Sequence, residues 1–316
     1  MDKQIIEINS KHMGGEFQFK IYPGSVHGHE EIKEIARLAF NEVARVEDLL
    51  TDFRPSPFNQ INMKAGIAPV EVDEEVFQII ERSLKLSDET NGAFDISFAS
   101  VGHLWREHKR ASTTPNESEM KEAASYIDYK SIELDHTKST VFLPHRKMRI
   151  GLGGIGKGYA VDRGFELLKM RGLSNFYFNG SGDIRVDSRA DAPRAWQVGV
   201  RNPFSEDPTK SCAYFKIHNG ALATSGNYNN FIHKLGKAYH HILDPKTGSS
   251  SRDLVSVSIF SETAERADTT ATSIMIMGQE RGLEFMNKNE LNGFIINENG
   301  DVLRSKKSHQ ILEQSI

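Results

Sequence analysis

The chain has 316 residues and a formal net charge of −4, from 39 Lys and Arg against 43 Asp and Glu. This near balance does not favour nucleic acid or an anionic membrane surface as a partner, and the single cysteine, Cys212, excludes an internal disulfide. No apolar run reaches the about 18 residues of a membrane helix, so we expect no transmembrane segment. The length suffices for a large core, in one domain or in two lobes.

Along the chain, periodic segments predict a mixture of helices and strands. Apolar residues at helical spacing predict helices at about 29–50, 76–87 and 158–170. Short strands are predicted at Glu16–Tyr22, Asn175–Phe178, Trp196–Val200, Ala213–Ile217, Val255–Ile259 and Gly293–Ile296. The polar stretch 109–119 indicates a loop or a boundary between lobes. These elements predict an α+β fold with helices on one or both faces of a mostly antiparallel sheet.

The most informative segment is rich in glycine. It reads RIGLGGIGKGYAVDRG from Arg149 to Gly164, with five glycines between Gly151 and Gly158 ahead of the predicted helix. Glycine lets backbone N–H groups approach a bulky anion, and the N-terminus of a helix adds partial positive charge. We therefore predict that this segment binds a phosphate or pyrophosphate. The alternative is a tight turn that packs a helix on a sheet.

Two common nucleotide-binding motifs fit this segment only in part. Residues 151–156 satisfy GxGxxG, but residues 148–150 form a poor strand, and Asp183 follows too far along the chain for the ribose-binding acid of a dinucleotide fold. Residues 151–157 satisfy GxxxxGK, but Gly158 stands where a P-loop has Ser or Thr. Both motifs are therefore weak explanations of the segment.

Eight segments in the same order resemble the conserved blocks of the ApbE family, the FAD:protein FMN transferases. Together they extend over roughly residues 13–296. They are MGGEFQ from Met13, FRPSPFNQIN from Phe53, TNGAFDIS from Thr90, GLGGIGKGYAVD from Gly151, NGSGDIRV from Asn179, ALATSGNY from Ala221, HILDPKTG from His241 and ADTTATSIMIMG from Ala267. The resemblance implies an ApbE-like, two-lobed α+β fold with a central flavin cleft, in which residues 1–316 form a single domain.

The resemblance also implies an activity. The family transfers FMN from FAD to a Thr or Ser hydroxyl of a target flavoprotein and releases AMP, with Mg²⁺ as cofactor. FAD and an acceptor protein with a Thr- or Ser-containing motif are thus the expected partners. Two alternatives are an FAD pyrophosphatase, which gives FMN and AMP, and a flavin-binding protein without catalysis. Residues 1–10 have no features of an export signal. We therefore expect a cytoplasmic protein, or a periplasmic, membrane-anchored one if a leader precedes Met1.

A candidate metal site follows from residue chemistry. Asp268 and Thr272 are four residues apart, so in a helix they share one face. Mg²⁺ prefers oxygen ligands and takes few of them from protein when phosphates supply the others. Taken alone, Asp268 also fits a helix cap and Thr272 a neutral helix residue. The resemblance implies that both are Mg²⁺ ligands, with Ala271 between them contributing backbone only and the backbone oxygen of Gly154 nearby.

Flavin contacts are implied at eight positions: Met13, Phe53, Ala93, Phe94, Asp95, Gly151, Lys157 and His241. Phe53 stands where the family usually has Tyr, so the ring is kept and the hydroxyl is lost. Gly151 stands where the family's loop begins with Asp, so a polar anchor for the cofactor is missing. Phe94 also fits a core position, and Lys157 also fits a solvated surface position.

Two residues are the candidates for catalysis, Asp268 through the metal and His241 through proton transfer. A histidine with a near-neutral pKa can act as acid or base on a hydroxyl. His241 opens the HILDPKTG block, where residues 245–248 predict a turn that exposes a polar side chain. We therefore expect His241 to activate the acceptor hydroxyl or to bind substrate, whereas His240 is expected to be structural.

Overall fold

The computed structural model describes residues 5–24, 26–189, 191–205, 207, 209–226, 231–234, 237–240 and 253–310. The chain forms two compact units. Unit 1 comprises Met1–Glu47, Ile155–Asn229 and Arg252–Ile316, and unit 2 comprises Asp48–Gly154 and Asn230–Ser251. The polar stretch 109–119 lies inside unit 2. The assignment of residues 1–316 to a single domain stays a prediction.

Strands and helices alternate irregularly along the chain. The strands are β1 (Ile6–His12), β2 (Gly15–Ile21), β3 (Val70–Glu71), β4 (Glu133–Asp135), β5 (Thr140–Phe142), β6 (Phe176–Gly180), β7 (Asp183–Val186), β8 (Trp196–Arg201), β9 (Ser211–Ile217), β10 (Gly220–Gly226), β11 (Phe231–Lys234), β12 (Lys237–His240), β13 (Leu254–Ser261), β14 (Asn292–Asn297) and β15 (Val302–Arg304). The helices are α1 (His29–Leu50), α2 (Pro57–Met63), α3 (Glu74–Glu89), α4 (Ala99–Arg110), α5 (Glu117–Ala124), α6 (Gly156–Met170), α7 (Ala264–Met277) and α8 (Gln279–Lys288). Short 3-10 helices lie at Ile96–Phe98, Tyr129–Ser131 and Lys306–Gln310.

Unit 1 is built on an eight-stranded sheet in the order β1-β2-β6-β7-β10-β13-β14-β15. Every pairing in this sheet is antiparallel. The predicted fold class, α+β with a mostly antiparallel sheet, agrees with this arrangement. Within the described part of the chain, none of the helices combines the length and apolar character that spanning a bilayer requires.

The two faces of this sheet have different partners because successive side chains of a strand point to opposite faces. On one face, α6 and α7 contact β6, β7, β10 and β13. On the other face lies the β8–β9 hairpin, whose Trp196 and Phe215 pack against Ile184, Leu222 and Phe294. The alternation along β7 therefore buries Ile184 under the hairpin and directs Asp183 toward the helices. This register brings a carboxylate to α6.

Unit 2 contains α2, α3, α4 and α5 with a three-stranded sheet in the order β3-β5-β4. The buried side chain of Asn62, on α2, donates to the carbonyl of Ile150 at 2.9 Å and accepts from its N–H at 2.7 Å. The N–H of Gly151 then donates to the carbonyl of Ile96 at 2.9 Å. These bonds fix the backbone at the start of the glycine-rich segment.

Candidate functional site

The glycine-rich segment enters its helix earlier than the sequence pattern indicates. Helix α6 begins at Gly156, so the expected start at about Gly158 is late by two residues. A Cβ atom at Gly158 would lie 2.5 Å from the carbonyl oxygen of Ala264 on α7. A Cβ at Gly153, by contrast, would meet no atom within 4 Å. Gly158 therefore allows two helices to approach closely, and the backbone of α7 occupies the space that a P-loop Ser or Thr side chain would need.

Three charged side chains of unit 1 converge at the start of α6. The ammonium of Lys157 lies 2.6 Å from Oδ2 of Asp183, whose side chain is almost fully buried. Asp268 on α7 is also buried, and its Oδ2 accepts a hydrogen bond of 3.2 Å from the N–H of Gly158. The carboxylate of Asp268 therefore caps the first turn of α6, for which no side chain of its own N-cap residue, Ile155, provides a cap.

The charge of Asp183 perturbs the neighbouring Asp268. Burial raises the pKa of Asp183, and the adjacent Lys157 ammonium opposes this shift. Burial and then the negative charge of Asp183 raise the pKa of Asp268 to about 7, with Lys157 again opposing. Carboxyl groups that share a site disfavour simultaneous ionisation unless a cation compensates them. Positive charge beside the two carboxyl groups, such as the Lys157 ammonium, therefore stabilises their ionised forms.

The donor atoms on α7 fit Mg²⁺. Because residues 264–277 are helical, Asp268 and Thr272 lie one turn apart, as the sequence predicts. The hydroxyl of Thr272 lies 3.1 Å from the hydroxyl of Ser225 on β10, and Ala271 is fully buried and offers only its backbone. No group of three or more His, Cys, Asp or Glu side chains in the described ranges could hold a metal. Few protein oxygens suffice for Mg²⁺ when phosphates and water complete its octahedron. The backbone oxygen of Gly154 stays a predicted ligand.

In unit 2, Phe53, which is predicted to contact the flavin, packs against the guanidinium of Arg106. Its side chain is 68% exposed, and the guanidinium of Arg106 lies 4.4 Å from the ring centroid. Arg106 also donates to Oδ2 of Asp52 at 2.6 Å, and His103 lies 3.2 Å from the same oxygen. Arg106 thus lies over the Phe53 ring in a cation–π contact, while most of the side chain stays exposed to solvent.

The same carboxylate occupies the surroundings of Gly151. A Cβ at Gly151 would lie 2.9 Å from Cβ of Ala99 and 3.3 Å from Oδ2 of Asp52. Burial raises the pKa of Asp52, but hydrogen bonds from His103 and Arg106 outweigh it and hold the pKa below the usual value. An ionised carboxylate thus lies beside the position where the chain lacks the family's Asp.

The TNGAFDIS block forms a buried turn after α3. Ala93 and Phe94 are buried, which agrees with the core alternative for Phe94, and the N–H of Phe94 donates to the hydroxyl of Thr90 at 3.1 Å. Asp95 caps the following 3-10 helix through the N–H of Ser97 at 2.8 Å. These contacts give all three residues a structural role, and their contact with flavin stays a prediction.

The remaining predicted residues are Met13 and His241. Met13 occupies the β1–β2 turn with φ of 49°, and its N–H donates to Oε2 of Glu47 at 2.6 Å. Its contact with flavin stays a prediction. His241 lies outside the described residues, so its roles in catalysis and substrate binding also stay predictions.

Sequence reasoning did not select Asp183 or Asp52 as site residues. Asp183 lies in the NGSGDIRV block, and the match of that block to the family was the available signal. Asp52 immediately precedes the FRPSPFNQIN block, and no sequence motif marks its approach to Gly151.

Comparison with known proteins places the chain in one family. The sequence profile of the ApbE family matches residues 13–295. An FAD:protein FMN transferase of Haemophilus influenzae is 26% identical, over 99% of this chain and 93% of its own length. One of Treponema pallidum is 31% identical, over 70% of this chain and 65% of its own.

Solved structures show the same fold. The crystal structure of the ApbE protein of Thermotoga maritima has a TM-score of 0.87 at 27% identity, covering 98% of this chain and 100% of its own. The flavin transferase ApbE of Vibrio cholerae has a TM-score of 0.84 at 22% identity, covering 98% and 99%.

Fold and relatives together define an α+β enzyme of the transferase class. The chain belongs to the ApbE family. The predicted family, fold class and transferase activity are therefore confirmed.

Proposed function

We propose that this chain transfers FMN from FAD to a Thr or Ser hydroxyl of an acceptor flavoprotein in a Mg²⁺-dependent reaction. Its membership of the ApbE family and the names of its relatives support flavin transfer. The observation that carries the metal requirement is the buried Asp268, next to a second buried carboxylate, Asp183, and one turn before the Thr272 hydroxyl.

The proposed reaction is a phosphoryl-group transfer. The acceptor hydroxyl oxygen forms a bond to the FMN phosphorus, and the bond from that phosphorus to the bridging oxygen breaks. AMP leaves with the bridging oxygen, and the hydroxyl proton passes to a base, for which His241 is the predicted residue. Such reactions depend mainly on positioning and electrostatics. Lys157 contributes positive charge at the start of α6, where backbone N–H groups favour an anion.

Bound Mg²⁺ would neutralise charge on the phosphate oxygens. Asp268 and Thr272 would hold the ion, and Asp183 holds Lys157 at the start of α6 through their 2.6 Å contact. The buried carboxylates therefore have two tasks, holding the cation and orienting the lysine.

Two threonines of α7 allow a matched test of the metal site. The Thr269 hydroxyl donates to the carbonyl of Glu265 at 2.8 Å within the helix, whereas Thr272 is the predicted ligand. Thr272→Val should raise the Mg²⁺ concentration needed for half-maximal FMN transfer, and Thr269→Val should leave it unchanged. Asp268→Asn should abolish Mg²⁺-dependent turnover. Equal turnover of the wild-type enzyme with Mg²⁺ and with EDTA would contradict the metal requirement.

Two lysines of α6 give a second matched pair. Lys157 forms an ion pair with Asp183 in β7, and Lys169 forms one with Asp187, the residue that follows β7. Both aspartates are buried. Lys157→Met should weaken FAD binding measured by flavin fluorescence, and Lys169→Met should not. Equal losses in both variants would indicate a structural role for Lys157.

A further inference from the structure

Helices α6 and α7 cap each other's N-termini with carboxylates. Oδ1 of Asp162, on α6, accepts from the N–H of Ala264 at 2.9 Å, and its Oδ2 accepts from the N–H of Glu265 at 2.8 Å. In return, Asp268 on α7 accepts from the N–H of Gly158 at 3.2 Å in the first turn of α6. Each helix thus satisfies N–H groups that the other leaves without an intrahelical partner.

The two caps are one helical turn apart on each helix. Together they fix the position of α7 relative to α6. Gly158 and Asp162 are four residues apart on α6, and Ala264 and Asp268 are four residues apart on α7. Between them, the missing side chain of Gly158 lets the backbones touch, since a Cβ there would lie 2.5 Å from the oxygen of Ala264. Two anchors and a close contact leave α7 little freedom to slide or rotate on α6.

Helix α7 does not depend on the Asp162 carboxylate alone to cap its N-terminus. Helix α7 already has a local cap, because the hydroxyl of Thr263 accepts from the N–H of Arg266 at 3.3 Å. Asp162 is itself held by Arg185 of β7 at 3.0 Å. Arg185 lies two residues after Asp183 and so extends from the same face of the strand. One face of β7 therefore orients both Lys157 and Asp162.

We propose that Asp162 is the positioning residue of the metal site, since its cap on α7 places the Asp268 carboxylate beside the first turn of α6. The inference rests on the proposed role of Asp268 as a Mg²⁺ ligand. Both carboxylate oxygens of Asp162 accept from backbone N–H groups of α7, so its effect is on the geometry of the ligand. Residues that orient a metal ligand typically contribute about 10- to 100-fold to metal affinity.

The test measures Mn²⁺ binding, with Mn²⁺ as a stand-in for Mg²⁺, by the electron paramagnetic resonance signal of the free ion. The full chain is titrated in the presence of FAD and without an acceptor protein. Asp162→Asn removes the charge with little change of size, and Asp162→Glu keeps the charge but adds a methylene that pushes the helices apart. Thr263→Ala is the matched control, because it removes the local cap of the same helix. Circular dichroism compares the folds of all variants.

Both Asp162 variants should bind Mn²⁺ about tenfold more weakly or worse, and Thr263→Ala should bind it like the wild-type chain. Affinity equal to wild type in a folded Asp162→Asn or Asp162→Glu variant would overturn the inference and leave the proposed function standing. An equal loss in Thr263→Ala would also overturn it, because any weakening of α7 would then suffice. Absence of Mn²⁺ binding by the wild-type chain would overturn the metal-dependent function and this inference together.

Discussion

Substitution of Gly158 by Ala tests the close contact between α6 and α7. The added methyl carbon would lie 2.5 Å from the Ala264 oxygen and 2.8 Å from its carbonyl carbon and from Cα of Glu265. All three are backbone atoms, so no flexible side chain can move away. Ordinary contact begins at 3.4 Å. The helices must therefore separate by close to 1 Å, which also stretches the 3.2 Å bond from Gly158 to Asp268.

The expected loss can be worked from three contributions. Overpacking of a tight contact costs about 1–3 kcal/mol, and loss of a hydrogen bond to a charged group costs about 1.5–3 kcal/mol. Ala in place of Gly within a helix contributes about 1 kcal/mol in the opposite direction. We expect Gly158→Ala to lower the free energy of unfolding by about 1.5–5 kcal/mol.

Gly102 provides the control, since it also lies within a helix, α4, and a Cβ there would meet no atom within 4 Å. Gly102→Ala should be neutral or stabilising by up to about 1 kcal/mol. Urea denaturation followed by far-ultraviolet circular dichroism gives both values. If the Gly158→Ala variant is no less stable than the Gly102→Ala variant, the inferred close contact between α6 and α7 is wrong.

Three further predictions concern Asp52 and its neighbours. The pKa of Asp52 is held low, so its ionised carboxylate stabilises the fold, and Asp52→Asn should be less stable than wild type by about 1–3 kcal/mol at neutral pH. Denaturation at several pH values should show this difference in stability shrinking as pH falls below about 4. A constant difference would contradict the ion pair. Gly151→Asp should destabilise the chain, because the new side chain crowds Ala99 and adds a second carboxylate beside Asp52. In a double-mutant cycle, the same substitution should lower the free energy of unfolding less in an Asp52→Asn background, and strict additivity would exclude the charge contact. Phe53→Ala should weaken FAD binding about tenfold in fluorescence titrations, the equivalent of about 1.4 kcal/mol of stacking, whereas Phe53→Tyr should not; unchanged affinity in both would exclude Phe53 from the binding site.

The sequence alone located the longer elements well. Periodic apolar residues predicted α1 at its observed bounds, His29–Leu50, and the predicted strand Glu16–Tyr22 differs from β2 by one residue at each end. Both elements bury one regular face, and a regular face leaves a clear periodic signal. Short strands leave little signal of this kind. The four residues of β7 include two charged side chains, Asp183 and Arg185, and were not predicted as a strand.

The site was predictable only where one local element contains it. Asp268 and Thr272 share a helix, so their spacing was sufficient to pair them. The contact between Lys157 and Asp183 joins residues 26 apart, and that between Asp162 and Ala264 joins residues 102 apart. Such contacts depend on strand register and helix packing, which no local pattern determines. Gly158 illustrates the same limit. A P-loop has Ser or Thr at this position, and the backbone of α7, about 100 residues further along the chain, leaves no room for such a side chain.

The mass of an acceptor protein after incubation with this chain, FAD and Mg²⁺ tests the proposed transfer most directly. The acceptor should carry the family's Thr-containing motif, and a Thr→Ala acceptor is the control. We predict an acceptor heavier by one FMN, an equal amount of AMP and no labelling of the Thr→Ala acceptor. Free FMN that forms at the same rate with and without acceptor, and an acceptor of unchanged mass, would contradict transfer and identify an FAD pyrophosphatase.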